Sequence, residues 1–371
     1  MEKTKNETHT VSSPSGRSKV GILYQWQMTE PDKEFKLTEI NFPDLKEGEV
    51  LVKVAGCGVC HTDISFWHHG VQTKHALPLT LGHEISGVVV GGDAKWLNKP
   101  VIIPAVLPCG ECELCKKGRS NICRNQLMPG NDFHGGFASH IKVSSKFLCA
   151  VPDAVLKKYP LENLSVIADA ISTPYQVVKK SELEAGDLAI IIGVGGVGVY
   201  GALIAKIFGA KVIALDINDE KLNIAKANGV DAVLNIKGLD AKAIKDKVKE
   251  LAKEIKAPKT GWKIFEISGT KSGQDMAFNL VTFTSTLSIV GFTMDKVEVR
   301  LSNLMAFDAK LIGTWGCRAE LYPEVLELVA NGKLKIEQFV QTFPMSKINE
   351  VFKNTLEYKY TKRSVMVPDF N

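Results

Sequence analysis

Little in this sequence directs it to a membrane, a nucleic acid or an oxidising compartment. Its first twenty residues, MEKTKNETHTVSSPSGRSKV, contain no apolar core, so no secretory signal is read there. Residues 1–18 are expected to form a loosely attached tail. An excess of one charge sign is also lacking: 46 basic residues face 41 acidic ones, a net charge of +5. That is far short of a dedicated nucleic-acid binder. Long apolar runs are nearly absent. Leu188 to Ala205 spans eighteen residues without a charge, a length that raises the question of a membrane span. Four glycines within six residues interrupt it, at 193, 195, 196 and 198, and Lys206, Lys211 and Asp216 follow. A buried strand, a glycine turn and a helix account for the run better than a span does. No internal repeat is present. With no export signal, the expected location is the cytoplasm, where disulfides are not expected; six of the 8 cysteines sit in two tight groups whose spacing decides their reading.

What is present divides the chain in two. At 371 residues it exceeds one comfortable core. Residues 19–165 carry short alternating or β-branched runs, such as EVLVKVAG and EISGVVV, broken by Gly and Pro. From about 166 the rhythm becomes strand and helix in alternation: LAIII, GVYGALIAKIFG, KVIALDI, KLNIAKANG, DAVLNI, then WKIFEIS and STLSIVGF. That alternation predicts a doubly wound parallel sheet, so the fold class is α/β with a β-rich companion. The segment from Trp315 onward shows no nucleotide signal and is expected to return to the first domain. Lysines between 237 and 263 read as the solvated face of helices.

Gly193-Val194-Gly195-Gly196-Val197-Gly198 fits G-x-G-x-x-G, with a strand before it and a helix after it. Glycines there let the backbone approach a pyrophosphate seated on the helix N-terminus. Asp216 ends the next strand, eighteen residues past Gly198. Its carboxylate can accept hydrogen bonds from both adenosine ribose hydroxyls and would repel a 2′-phosphate, which favours NAD over NADP. Lys221 either reaches the same ribose or is a plain surface lysine.

Cys109, Cys112, Cys115 and Cys123 place four thiols within fifteen residues, the pattern of a closed tetrahedral zinc site. Disulfides and an iron–sulfur cluster are the competing readings. Cys57-Gly58-Val59-Cys60 has the outward form of a redox pair, but its surroundings differ. Cys60-His61-Thr62-Asp63 and Gly82-His83-Glu84 supply a thiolate, an imidazole and carboxylates to orient them. A catalytic zinc takes three protein ligands and keeps one position open. Cys60 and His83 give two, and the third comes from elsewhere. Cys57 is read as a small buried residue.

GVCHTD, GHE, the four-cysteine lobe and GVGGVG, in that order, resemble the zinc-containing medium-chain alcohol dehydrogenases over nearly the whole chain after residue 19. The resemblance implies a GroES-like catalytic domain at 19–170 and 315–371 around a Rossmann NAD-binding domain at 171–314. It also implies two zinc ions per chain. Cys60, His83 and Asp169 hold the catalytic one, with Asp169 alternatively a plain helix-start carboxylate. The four clustered cysteines hold the structural one. Glu84 matches the acid that swings toward the catalytic zinc, and Thr62 the hydroxyl that bonds the substrate alcohol. His61 matches a position near the pyrophosphate and Thr173 the residue packing on the nicotinamide. Ser65 stands where many relatives place a histidine that finishes the proton relay, while His68 and His69 have the wrong spacing.

A homo-oligomer, a dimer or tetramer built through the edge of the Rossmann sheet, is likewise implied. The segments ADAISTPYQVV, MPGNDFHGGFASHI, TGWKIFEISG and TMDKVEVRLSNLMAF are similar to those of family members acting on cyclic hydroxy-acyl thioesters of coenzyme A. They imply a cyclic acyl-CoA substrate whose charged tail meets Lys and Arg at the cleft mouth, Arg318 among the candidates. Three alternatives stay open at this point: a reductase of conjugated enoyl or dienoyl thioesters, a generic secondary alcohol dehydrogenase, and a zinc-lobed regulatory binding protein.

Overall fold

The computed structural model describes residues 22–370; the tail expected at 1–18 lies outside them. Fifteen strands appear in chain order: β1 Leu23–Gln27, β2 Lys36–Ile40, β3 Glu49–Gly58, β4 Glu84–Gly92, β5 Pro100–Ile103, β6 His140–Ser144, β7 Cys149–Ala150, β8 Leu188–Ile192, β9 Lys211–Asp216, β10 Ala232–Asn235, β11 Lys263–Glu266, β12 Thr286–Ile289, β13 Lys310–Gly313, β14 Val340–Pro344 and β15 Arg363–Val367.

β8 to β13 form a six-stranded, fully parallel sheet in the order β10-β9-β8-β11-β12-β13. β8 reads LAIII and is buried throughout, as a strand covered on both faces must be. Leu188, Ile190 and Ile192 enter one core, while Ala189 and Ile191 enter the core on the opposite face. The chain winds outward from β8 through β9 to β10, then returns to β11 on the other side. The crevice at the carboxyl ends of β8 and β11 is therefore the topological switch point where such sheets bind ligands.

The second sheet runs β14-β15-β3-β4-β5-β7, with β6 also paired to β3. Its strands come from residues 49–150 and 340–367, so the returning segment does join the first part of the chain. β3 and β4 are antiparallel, with Gly58 opposite Glu84. Cys60 just after β3 and His83 just before β4 thus lie at one end of the sheet. The helical segment Leu161–Ala168 packs across β3 and β4 and delivers Asp169 to the same end. The core that covers one face of the parallel sheet continues through residues of 151–178 and 317–340, joining the two sheets. Among the described residues, no helix is long and apolar enough to cross a membrane.

Candidate metal centres and cofactor cleft

One ligand atom from each of Cys60, His83, Glu84 and Asp169 falls within 4.8 Å of the others. Cys60 is the N-cap of the helix His61–Trp67. Asp63, fully buried on that helix, accepts from the Cys60 amide at 2.9 Å and from the Gly82 amide at 3.0 Å. One carboxylate thereby fixes the two loops that carry the thiol and the imidazole. Its Oδ1 also lies 3.5 Å from His83 Nδ1, beyond good hydrogen-bonding distance, and that nitrogen has no closer partner. Asp169 Oδ2 lies 3.7 Å from Cys60 Sγ and 3.8 Å from His83 Nε2, while its Oδ1 accepts from Thr173 Oγ1 at 2.5 Å.

Burial works against a charged His83, yet Asp63 and Asp169 hold its pKa well above the usual value. Asp169 is drawn down to about 2: desolvation opposes this, and His83, Thr173 and Arg363 outweigh it. The enclosed field favours positive charge, and the donors are one sulfur, one nitrogen and one carboxylate. That set suits zinc with a position left for substrate. Cys57 is fully buried, with its thiol pushed well up by burial, as expected of a packing residue.

Glu84 is bonded through both carboxylate oxygens to Arg363, with Arg363 Nε donating to Oε2 at 3.0 Å and Nη2 to Oε1. Both residues are buried. Gly58 makes room for the pair: a Cβ there would meet Glu84 Oε2 at 2.0 Å. Arg363 is absent from the sequence-based site. A lone charge opening the apolar run of β15 was the one available signal, and the register Val365 to Gly58 is what brings it to Glu84.

The four-cysteine lobe closes on itself. Cys112 Sγ lies 3.5 Å from Cys115 Sγ and 3.6 Å from Cys123 Sγ, and Cys123 Sγ lies 3.4 Å from Cys109 Sγ. Amides of Glu111 and Cys112 donate to Cys109 Sγ and bring its thiol down to about 6. All eight cysteines are free thiols, so no disulfide competes for the lobe. Four sulfurs converging, with no fifth donor among the described residues, fit a closed zinc site.

Gly193, Gly195, Gly196 and Val197 turn the chain from β8 into the helix Gly198–Ile207. A Cβ at Gly198 would meet the Gly193 carbonyl at 1.8 Å, so this tight entry admits glycine alone. Asp216, at the carboxyl end of β9, accepts from the Val194 amide at 2.9 Å and the Asn218 amide at 3.0 Å. It is thus locked against the glycine turn. Lys221 sits in the first turn of the helix Asp219–Ala227, beside it. Desolvation in the cleft, then the charges of Arg363 and Lys221, lower the His61 imidazole to about 4.

Thr62 Oγ1 stands 3.8 Å from Cys60 Sγ, beside the cluster. The relay position behaves differently. Ser65 is buried and donates its one hydroxyl proton to the His61 carbonyl at 2.8 Å, so it passes no proton outward in this arrangement. His68 instead bonds Asp32, at the surface.

A parallel nucleotide sheet, a β-rich partner and two cysteine-containing metal clusters together define a zinc- and NAD-dependent oxidoreductase. Residues 46–153 match the family described as alcohol dehydrogenase GroES-like domain, and residues 196–331 match that described as zinc-binding dehydrogenase. An alcohol dehydrogenase of Geobacillus stearothermophilus is 32% identical over 346 residues, covering 91% of this chain and 97% of its own. The chain belongs to this alcohol dehydrogenase family. Among solved structures, acetophenone reductase from Geotrichum candidum in complex with NAD superposes with a TM-score of 0.81 at 26% identity, covering 94% of this chain and 98% of that one. AibC superposes with a TM-score of 0.84 at 22% identity, covering 98% and 100%, a likeness of fold.

Proposed function

We propose that the chain oxidises the ring hydroxyl of 6-hydroxycyclohex-1-ene-1-carbonyl-CoA to the 6-oxo product with NAD, in the cytoplasm, within anaerobic aromatic degradation by way of benzoyl-CoA. The observation that carries the alcohol oxidation is the convergence of Cys60, His83 and Asp169 beside Thr62. The resemblance of the four segments quoted above supports the particular substrate. The division into a catalytic domain at 19–170 and 315–371 and a Rossmann domain at 171–314 belongs to the same reading.

In it, Cys60, His83 and Asp169 hold the catalytic zinc, and Cys109, Cys112, Cys115 and Cys123 the structural one. When bound, zinc supplies a Lewis acid that acidifies an alcohol, and NAD supplies the hydride acceptor. Thr62 would accept a hydrogen bond from the substrate hydroxyl and fix its oxygen near the ligand cluster. Asp63 keeps the Cys60 and His83 loops in register. Thr173, anchored on Asp169, packs against the nicotinamide and limits its position. Arg363 pairs with Glu84 and holds that carboxylate to one side; Glu84 is the acid that would turn toward the zinc. Asp216 and Lys221 take the adenosine ribose, and His61 stands near the pyrophosphate.

The deciding measurement is a cofactor-coupled substrate screen. The cyclic CoA ester should exceed cyclohexanol in kcat/KM by at least about 100-fold, because binding energy from the remote CoA moiety positions the reacting carbon. Equal values for the two would return the chain to a generic secondary alcohol dehydrogenase.

A further inference from the structure

We propose that Gln176 is a positioning residue that ties the crossing between the two sheets, and through it the four-cysteine lobe, to the nicotinamide side of the catalytic centre. Gln176 is buried on the helix Ser172–Lys180. Its amide makes its hydrogen bonds to one short stretch of chain. Nε2 donates to the Gly316 carbonyl at 2.9 Å and to Thr314 Oγ1 at 3.1 Å, and Oε1 accepts from the Arg318 amide at 2.8 Å. That stretch follows β13 and is where the chain leaves the parallel sheet for the other one.

The lobe grips the opposite side of the same stretch. Asn121 Nδ2 donates to the Trp315 carbonyl at 2.8 Å, Trp315 Nε1 to Gln126 Oε1 at 3.0 Å, and Arg318 Nη1 to the Gly118 carbonyl at 2.9 Å. At the start of the Gln176 helix, Thr173 bonds Asp169. Hydrogen bonds therefore run from the lobe through residues 314–318 to Gln176, and the helix Ser172–Lys180 carries the link on to its first turn and Thr173. A closed four-sulfur site performs no chemistry of its own, and this path gives it an effect on the reacting end of the molecule. Packed helices and hydrogen-bonded segments transmit small displacements because they have few alternative arrangements.

The inference rests on the proposed placing of NAD against Thr173, and the test separates the two. The zinc-loaded enzyme is compared with Gln176→Met, Asn121→Ala and the double variant, by NADH fluorescence titration, zinc content and kcat. Gln176→Met should keep two zinc ions per chain and weaken NADH binding about tenfold, and Asn121→Ala about threefold. If both act through one path, the double variant should lose about tenfold rather than about thirtyfold. Multiplying losses, or an unchanged NADH dissociation constant in Gln176→Met, would overturn the proposal. Should Gln176→Met not fold, Gln176→Glu takes its place in the same cycle, since it keeps the acceptor for the Arg318 amide and loses only the donors. A wild-type enzyme that binds no NADH would instead sink the cofactor placement itself.

Discussion

Asp216 shows how a single residue carries two duties. Its oxygens accept from the amides of Val194 and Asn218, at 2.9 Å and 3.0 Å, which fixes the carboxylate at the rim of the glycine turn. In the proposed cofactor placement the remaining lone pairs take a ribose, where a 2′-phosphate would meet a negative charge. Wild-type kcat/KM should favour NAD over NADP by roughly 100-fold or more, about 3 kcal/mol of discrimination. Asp216→Ser should narrow that ratio to within about tenfold, read from initial rates with each cofactor. Equal use of both cofactors by the wild type would remove this role from Asp216. Cys60, His83, the four clustered cysteines and Asp216 were legible because each sits in a short motif with its own chemistry, whereas Asp169 came only from the family resemblance. Arg363 and Gln176 were not, since their partners lie 279 and 138 to 142 residues away and no local pattern announces such a pairing.

At the scale of elements, the parallel sheet was the most readable part, because a run such as LAIII followed by a glycine turn has few other uses. The joint between its elements needed coordinates. Asp231, just before β10, accepts from Lys206 Nζ and from the Val212 amide, both at 2.7 Å, tying the helix Gly198–Ile207 to β9. Desolvation would raise its pKa, but those two bonds outweigh it and the net shift is downward. A carboxyl depressed in the folded state stabilises it above the unfolded pKa, and this contribution fades as pH falls through the lower folded value. Asp231→Asn should therefore cost about 1 kcal/mol near neutral pH, with the two proteins converging in urea titrations as pH drops below the ordinary carboxylate range. A difference that persists undiminished in acid would assign the effect to packing instead. The two metal-holding elements should also part company. Cys112→Ser should lose one zinc and several degrees of Tm, because structural zinc binding is linked to folding. Cys60→Ser should stay folded and lose activity at least about 1,000-fold. Full activity in a protein with one zinc or none would refute the assignment.

For the whole molecule, the parallel sheet ends at β13, whose outer edge is unpaired among the described residues. Around it Phe283, Phe292, Met294, Leu301, Met305 and Leu311 are exposed. An apolar, unpaired edge is a template for another strand, and a second copy of this chain is the occupant we propose. Light scattering should give at least a dimer, and Leu311→Lys with Met305→Lys should shift it toward monomer. A monomeric wild type at micromolar concentration would rule the edge out.

The order of pairing in the other sheet also sets an order of assembly. β3 meets β15, with Gly58 opposite Val365, while the six parallel strands all lie between residues 188 and 313. During synthesis the nucleotide sheet can therefore close while β3 still waits for its neighbour, since domains fold as units as they emerge. Until then Glu84 lacks the Arg363 guanidinium and the Cys57–Gly58 end of β3 lacks its β15 partner, although β4 and β6 already pair with the rest of the strand. That interval is when the nascent chain is most open to chaperones and to aggregation, and the ribosome must deliver Arg363 before the catalytic end is whole.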